Sequence, residues 1–336
     1  MKQRGKVYHC IKAQQFSREF IDEICGLADR VREIARTKAG MEFLESTLHH
    51  KRVMLYFVQP STRTFLSFYS ACQILGLKCA EVRDPKTSSE VKGESEEDTV
   101  RIFSSYFDLI IMRHFKANFA EAIAGMLDGT ERPVPVINAG SGKDQHPTQA
   151  LLDLYTLKRS FKNRGGIEQK QIAFVGDLLR GRTIRSLANL LTRYRGVKQY
   201  FVAPAEFQIG ADLRSFLDKA RVSYEVTEDF KSVIPLVDAI YMTRLQDEWD
   251  PVDGTEQKVD LERYSITGRQ LSQLKPGAII MHPLPRRGEI AREVDGDPRA
   301  AYWNQVRNGM WIRAALVAMI FSRERNIYDY YLNHNL

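Results

Sequence analysis

The chain has 336 residues, which is too long for one ordinary hydrophobic core and suits two α/β domains of about 150 residues each. Its hydrophobic content of 43% and charged content of 27% are typical of a globular protein and argue against a disordered chain. No apolar run approaches the ~20 residues of a membrane helix, and the first ten residues lack the apolar core of a secretory signal. We therefore predict a cytoplasmic protein that does not bind a membrane.

The formal net charge of +7 leaves three interpretations open. The excess could form a nucleic-acid surface, line a pocket for anionic substrates, or be spread over a solvated surface. Lysine and arginine are scattered without a basic run, so we expect no nucleic-acid binding, but composition does not choose between the other two. The four cysteines have neither a C-x-x-C pair nor zinc spacing, which predicts free thiols and no metal site.

Short apolar, β-rich runs alternate with amphipathic stretches, a pattern that predicts parallel sheets covered by helices on both faces. The strands predicted in the first half are Val53–Phe57, Cys79–Arg83, Leu109–Arg113 and Val134–Asn138, with helices at Thr62–Leu75, Glu96–Tyr106 and Pro147–Lys158. Those of the second half are Ile172–Val175, Gln199–Val202, Ala239–Met242 and Ala278–Met281, with helices at Thr183–Arg193 and Trp303–Glu324. The polar segment 160–168 separates the halves. We predict an α/β protein of two doubly wound domains, and the last helix could belong to either half.

Ligands of open parallel sheets bind beyond the carboxyl ends of the strands, so the residues there are the candidates for chemistry. Ser61-Thr62-Arg63-Thr64 follows the first predicted strand and opens a helix. A helix start, three hydroxyls and a guanidinium together make a good anion site. The equally acceptable alternative is a capped helix with a solvated Arg63.

Two further strand ends in the first half are polar. Arg113 and His114 close the third strand, and His146–Gln149 opens the helix that follows the fourth. Each alone is a weak signal, since a lone arginine or histidine there is more often structural. Together these groups could polarise a carbonyl and hold a phosphate without a metal.

The second half offers arginines at three strand ends, Arg182, Arg244 and Arg286. The planar fork of arginine suits carboxylates, so two of them would suit a dicarboxylate, although each could instead form an ion pair. The stretch Gly176–Thr183 is similar to a dinucleotide-binding turn. However, its glycine spacing is wrong for G-x-G-x-x-G, which disfavours a nicotinamide cofactor.

These residues give the chain a resemblance to the aspartate/ornithine carbamoyltransferase family over nearly its whole length. The motifs that resemble the family in the first half are S-T-R-T at 61–64, K-G-E-S with D-T at 92–99, M-R-H at 112–114 and H-P-T-Q at 146–149. In the second half, G-D-L-x-x-G-R-T, M-T-R-x-Q and H-P-L-P-R are similar to the aspartate members. Ornithine members carry H-C-L-P, whereas Pro283 stands here.

The sequence departs from the family pattern at three places. Phe65 stands where many members have arginine, Gly288 stands where aspartate is common, and the stretch 247–262 is a few residues longer than usual. The longer stretch bears most directly on the identity of the amino-acid substrate.

The resemblance implies a carbamoyl transfer from carbamoyl phosphate, bound first, to the α-amine of L-aspartate, as in pyrimidine biosynthesis. It implies no cofactor and a site in the cleft between two domains, 1–148 with 305–336 and 149–304. The residues implied to hold carbamoyl phosphate are Ser61, Thr62, Arg63, Thr64, Arg113, His146, Gln149, Pro283 and Leu284. Those implied for aspartate are Arg182, Arg244, Gln246 and Lys92, and those implied to act in catalysis are Arg63, Thr64, Arg113, His146 and Lys92.

The resemblance also implies a homotrimer, because Ser88 and Lys92 resemble residues that enter the site of a neighbouring subunit. The sequence leaves open whether regulatory chains or a partner enzyme join the trimer. Two alternatives to aspartate transfer remain: a carbamoyltransferase that uses another amine, and a non-catalytic relative with a structural role.

Overall fold

The structure is a computed structural model that describes residues 8–84, 93–140, 145–244 and 261–336. The chain divides into two compact units, Met1–Leu151 with Asn308–Leu336, and Leu152–Arg307. The chain passes between the units within the helices Pro147–Ser160 and Tyr302–Ile320. The predicted boundaries at 148/149 and 304/305 fall within the same two helices.

The first unit is built on a four-stranded parallel sheet in the order β2-β1-β3-β4. Its strands are β1 (Arg52–Phe57), β2 (Lys78–Val82), β3 (Leu109–Arg113) and β4 (Val136–Asn138). The helices up to the crossing are α1 (Arg18–Ile34), α2 (Lys38–Leu48), α3 (Thr62–Ile74), α4 (Glu96–Tyr106), α5 (Phe119–Asp128) and α6 (Pro147–Ser160). The central strand β3 is buried along its whole length, as expected for a strand covered on both faces.

The second unit is built on a five-stranded parallel sheet in the order β7-β6-β5-β8-β9. Its strands are β5 (Gln171–Val175), β6 (Lys198–Val202), β7 (Ser223–Thr227), β8 (Ala239–Met242) and β9 (Ile279–Met281). The remaining helices of the chain are α7 (Arg182–Leu191), α8 (Ala211–Lys219), α9 (Phe230–Val233), α10 (Gly268–Leu271), α11 (Tyr302–Ile320) and α12 (Glu324–Asn333). The prediction of two parallel sheets flanked by helices is confirmed.

The structure differs from the prediction at an edge strand and at the C-terminal helices. Strand β7 was missed because it is an edge strand whose side chains are exposed or half-buried, so it lacks a continuous apolar run. The helix expected over Trp303–Glu324 ends at Ile320, because the backbone turns at Ser322 with φ of 54°, and a further helix, Glu324–Asn333, follows that was not predicted. Among the described residues, no helix is long and apolar enough to cross a membrane.

The chain order within each sheet creates one reversal point. From β1 the chain goes to β2 on one side and then returns to β3 on the other, so β1 and β3 flank the reversal of the first unit. In the same way β5 and β8 flank that of the second unit. Parallel sheets bind their ligands at this reversal, because neighbouring loops there diverge to opposite faces and open a crevice.

Candidate active site

The S-T-R-T segment begins α3 directly after β1. Ser61 has extended backbone angles and occupies the N-cap position, as predicted, but its side chain makes no capping hydrogen bond. By contrast, the hydroxyl of Ser95, the N-cap residue of α4, accepts a hydrogen bond from the Asp98 amide. A helix start whose cap hydroxyl does not cover the first-turn N–H groups can offer those groups and its dipole to an anion.

Arg113 ends β3, next to β1, and is buried with 7% of its surface exposed. Its Nη1 donates to the carbonyl of Ala139, the residue that follows β4, at 3.2 Å. One fixed N–H holds the guanidinium plane in place, and a guanidinium has five such donors, so the same fork can also serve substrate oxygens.

His146 and Thr64 meet beside this arginine. The Thr64 hydroxyl lies 3.5 Å from His146 Nε2, and both side chains are buried. A separation of 3.5 Å is at the limit of a hydrogen bond, so each group is placed to bind a third oxygen close to both. The structure thus brings together three of the residues that the resemblance implies for catalysis: Thr64, Arg113 and His146.

Gly140 is part of this cluster and was not singled out by sequence analysis. It has φ of 106°, and a Cβ placed on it would lie 2.5 Å from Arg113 Nη1 and 3.1 Å from His146 Cδ2. Its amide donates to the Asn138 side chain at 2.8 Å, which fixes the turn after β4. The lack of a side chain at 140 is therefore what lets the arginine and the histidine approach one another. A glycine between a strand and the H-P-T-Q motif was the available signal.

Gln149 is half-buried in the first turn of α6, where its backbone N–H donates to the His146 backbone carbonyl. Arg63 and Thr62 are exposed at the start of α3. The candidate site of the first unit therefore has a buried part, formed by Thr64, Arg113 and His146, and an exposed part at the start of α3.

In the second unit, the turn after β5 packs directly on the end of β8. Gly176 has φ of 113°, and a Cβ there would lie 2.1 Å from the Thr243 carbonyl oxygen. Thr243 in turn donates its amide to the Val175 carbonyl at 2.8 Å. These contacts place Arg244 at the carboxyl end of β8, beside the turn that leads to Arg182 at the start of α7.

Both arginines are half-buried. The turn between β5 and α7 is shaped by Asp177, whose buried carboxylate accepts the Arg180 amide at 3.0 Å. Arg182 and Arg244 therefore lie on the two sides of the reversal point of this sheet, which is the expected location for an anionic ligand. The third candidate, Arg286, instead forms a two-pronged ion pair with Asp295 at 2.5 and 2.6 Å, so for this residue the ion-pair alternative is the correct one.

The H-P-L-P turn follows β9, the next strand of the sheet. The Leu284 amide donates to His282 Nδ1 at 2.7 Å, which leaves the ring proton on Nε2, 2.7 Å from Glu289. Burial alone would raise the pKa of Glu289, but the hydrogen bonds from His282 and the backbone outweigh it and lower that pKa. The turn that contains Pro283 is thus held by its own histidine.

Three predicted site residues, Ser88, Lys92 and Gln246, lie outside the described residues, as does most of the longer stretch 247–262. Within the described parts of the chain, no group of three or more His, Cys, Asp or Glu side chains is arranged to hold a metal ion. The four cysteines, all described, carry thiols.

Comparison with known proteins gives a consistent result. Residues 8–159 match the family model "Aspartate/ornithine carbamoyltransferase, carbamoyl-P binding domain", and residues 168–320 match its "Asp/Orn binding domain". Aspartate carbamoyltransferase 1, chloroplastic, of Pisum sativum is 38% identical over 95% of this chain and 80% of its own length.

Two solved structures agree with that match. The catalytic subunit of M. Jannaschii aspartate transcarbamoylase is 37% identical and superposes with a TM-score of 0.82, covering 94% of this chain and 98% of its own. The aspartate transcarbamoylase from Trypanosoma cruzi in complex with N-(phosphonacetyl)-L-aspartic acid is 32% identical with a TM-score of 0.81, covering 94% and 96%.

Proposed function

Because the chain belongs to the aspartate/ornithine carbamoyltransferase family, we propose that it transfers the carbamoyl group of carbamoyl phosphate to the α-amine of L-aspartate. The products are N-carbamoyl-L-aspartate and phosphate, a step of pyrimidine biosynthesis. The relatives and solved structures named above are aspartate enzymes, and H-P-L-P stands where ornithine enzymes carry H-C-L-P.

The observation that supports this function best is the cluster of Thr64, Arg113 and His146 at the reversal point of the first sheet. Three side chains that can donate hydrogen bonds converge there, and Gly140 leaves the space between them open. Such preorganised donors stabilise an oxygen that gains negative charge, as the carbonyl oxygen does when a nucleophile attacks it.

The donor substrate is held by the first unit. The helix start at Ser61–Thr64 binds the phosphate through its hydroxyls, its amides and the Arg63 guanidinium. Arg113 bridges phosphate and carbonyl oxygen, while His146 and Thr64 bind the carbonyl oxygen. Gln149, with the backbone carbonyls of Pro283 and Leu284, receives the carbamoyl NH₂.

The acceptor substrate is held by the arginines of the second unit. Arg182 binds the α-carboxylate of aspartate, and Arg244 binds the β-carboxylate with support from Gln246. Two guanidiniums on the two sides of one crevice select a dicarboxylate over the cationic side chain of ornithine.

The reaction needs little beyond this arrangement. The uncharged α-amine attacks the carbamoyl carbon, the carbonyl oxygen takes up negative charge, and the C–O bond to phosphate then breaks. The departing phosphate accepts the proton that the amine loses, so no protein base is required. Much of the rate comes from holding two anionic substrates in contact.

The active unit is a homotrimer in which Ser88 and Lys92 of one subunit complete the site of its neighbour. Lys92 there serves the phosphate, the aspartate and catalysis. The enzyme acts in the cytoplasm in this proposal, although the Pisum sativum relative is named chloroplastic.

A turnover assay with carbamoyl phosphate tests the function directly. We expect phosphate release with L-aspartate and none above background with L-ornithine, together with inhibition by N-(phosphonacetyl)-L-aspartate. Turnover with ornithine or a third amine, but not with aspartate, would establish the alternative acceptor. Failure to bind the phosphonacetyl analogue would point to a non-catalytic relative.

The role of Arg113 is tested in the same assay. Arg113→Ala removes a donor to the carbonyl oxygen, and loss of one such donor lowers turnover by about 10²–10³-fold. The matched control is Arg101→Ala on the exposed face of α4, which we expect to leave turnover unchanged. Near-normal turnover of Arg113→Ala would contradict the assignment.

A further inference from the structure

The H-P-L-P turn is held in place by a buried residue of α11. The His282 backbone N–H donates to Gln305 Oε1 at 2.9 Å, and the Leu284 N–H donates to the His282 ring. Leu284 itself has φ of 56°, a left-handed conformation that a leucine adopts only where surrounding bonds impose it. The backbone of this turn is therefore held from within by the His282 ring and from outside by Gln305.

Gln305 is in turn held by a buried carboxylate on α6. Its Nε2 donates to Asp153 Oδ1 at 2.7 Å, and the Tyr241 hydroxyl of β8 donates to Asp153 Oδ2 at 2.9 Å. The surfaces of all three side chains are no more than 1% exposed. The three residues lie in the second unit and link two helices and a strand to the turn after β9.

The carboxylate decides which way the glutamine amide points. An amide side chain has a donating end and an accepting end of nearly the same shape, so packing alone does not orient it. A carboxylate only accepts, so Asp153 attracts the NH₂ end of Gln305. The oxygen end then faces the His282 N–H, which is the only orientation that satisfies both neighbours.

We propose that Asp153 and Gln305 are positioning residues that act in sequence: Asp153 fixes the orientation of the Gln305 amide, and Gln305 fixes the backbone of the 282–285 turn. This chain of hydrogen bonds from Tyr241 through Asp153 and Gln305 to the His282 N–H, called the relay below, orients the carbonyls of Pro283 and Leu284 towards the carbamoyl NH₂. This inference rests on the proposed function, in which these two carbonyls bind the donor substrate.

Two isosteric substitutions change which groups of the relay donate and accept hydrogen bonds without changing the size of its side chains. Gln305→Glu sets a second carboxylate against Asp153, so the pair can bond only when it shares a proton. Asp153→Asn leaves either the Tyr241 hydroxyl or the His282 N–H without its acceptor in the relay.

The double variant Asp153→Asn with Gln305→Glu restores every bond of the relay with the two polarities exchanged. The amide NH₂ introduced at position 153 donates to the carboxylate introduced at position 305, and that carboxylate accepts from the His282 N–H. The amide oxygen at position 153 accepts from the Tyr241 hydroxyl. The buried site then holds one carboxyl group and one amide, as before.

The experiment measures KM and kcat for carbamoyl phosphate with saturating aspartate, and the dissociation constants of carbamoyl phosphate and inorganic phosphate by calorimetry. For Gln305→Glu we expect carbamoyl phosphate to bind about 10-fold more weakly and kcat to fall about 10²-fold. Phosphate, which does not reach the two carbonyls, should bind within about 2-fold of the native value. The double variant should recover to within about 3-fold on every measure. Activity of Gln305→Glu should also rise as the pH is lowered, since protonation restores the donor to Asp153.

Each result is decisive. If the native enzyme is inactive with aspartate, the proposed function fails. If the native enzyme is active and Gln305→Glu behaves like it, the relay alone is wrong. Equal weakening of phosphate and carbamoyl phosphate, or a double variant as impaired as Gln305→Glu, also rejects the relay. Should Gln305→Glu fail to fold, the double variant still decides, because the relay requires it to fold and to turn over like the native enzyme.

Discussion

At the scale of single residues, the hydrogen-bond donors Thr64, Arg113 and His146, here called the donor cluster, can converge only because residue 140 has no Cβ atom. The space between Arg113 and His146 exists because residue 140 has no side chain, and the φ of 106° there is one that other residues rarely adopt. Two requirements, space and backbone conformation, fall on one glycine. The functional residues around it were recognisable from their chemistry, whereas the glycine has none to recognise.

We expect Gly140→Ala to lower turnover by about 10²-fold, because the new Cβ displaces the guanidinium of Arg113 from the carbonyl oxygen. Its backbone strain should also lower the free energy of unfolding by about 1–2 kcal/mol. The matched control is Gly125→Ala in α5, where a Cβ meets no atom within 4 Å. That change should leave turnover intact and stabilise the helix by about 0.5–1 kcal/mol. Equal activity of the two variants would contradict the steric argument.

His114, the residue after Arg113, is a buried histidine that the proposed mechanism does not use. It stacks on Phe115 and Phe119 with ring centroids 4.4 and 4.1 Å apart, and its Nδ1 accepts the Lys116 amide. Burial is the largest influence on its pKa and, together with the charge of Lys116, lowers it to about 4 against the opposing effect of Glu96, 3.4 Å away, and Glu97. The folded chain therefore keeps this ring neutral at pH values where the unfolded chain protonates it.

This difference predicts a loss of stability in acid. His114 binds its proton more weakly in the folded state than in the unfolded state. Its contribution to the free energy of unfolding is therefore fully present above about pH 6.5 and is lost as the pH falls towards 4. The loss over that range should be about 3 kcal/mol. His114→Phe, which keeps the stacked ring without a titrating group, should flatten the dependence in denaturant unfolding measured from pH 4 to pH 7. The same change at the exposed His334 is the matched control.

At the scale of elements, the C-terminal region shows why the helix predicted to reach Glu324 ends earlier, at Ile320. The Arg323 amide bonds to the Ala318 carbonyl and the Ser322 amide to the Met319 carbonyl, which is the Schellman pattern of a helix end. Glycine usually occupies the left-handed position of this motif, and here it is Ser322. Without a glycine or proline, the sequence carries no local stop signal.

A glycine at that position should therefore stabilise the protein. We expect Ser322→Gly to raise the free energy of unfolding by about 1 kcal/mol, since it removes the left-handed strain of a residue with a Cβ. Ser272→Gly is the matched control, because Ser272 ends a helix with an ordinary φ of −66° and should be destabilised by the same change. Denaturant unfolding of both variants would check this. Destabilisation by Ser322→Gly would show that the serine side chain contributes more than its strain costs.

At the scale of the whole molecule, the proposed function assigns one substrate to each of two sheets of the same design. Each has one reversal point, with anion-binding groups in the loops beside it. The first unit offers a helix start and hydroxyls suited to phosphate, and the second offers half-buried arginines suited to carboxylates. The two units suit different anions because different side chains stand at equivalent positions of the two sheets.

The proposed trimer makes a prediction about mixed assemblies. Lys92→Gln and Arg113→Ala should each lower turnover by about 10²–10³-fold, because each removes a group that the site needs. Mixed trimers should regain part of the native turnover, since some sites would receive Arg113 from one chain and Lys92 from the other. The measurement is turnover after the two variants are dissociated together and reassembled. No recovery in verified mixed trimers would indicate that each chain builds a complete site.

The sequence by itself determined the parallel α/β architecture, because buried strands in parallel sheets appear as continuous apolar runs between amphipathic helices. It also made Ser61–Thr64, Arg113 and His146 candidates for the site, because they stand at strand ends, where parallel sheets bind ligands. The sequence did not indicate edge strand β7 or the helix end near Ser322, since neither has a local signal. Only the tertiary structure decided that Gly140 opens the donor cluster, that Arg286 belongs to an ion pair, and that Asp153 and Gln305 hold the turn after β9. These are relations between residues distant in the chain, and only folding brings their atoms into contact.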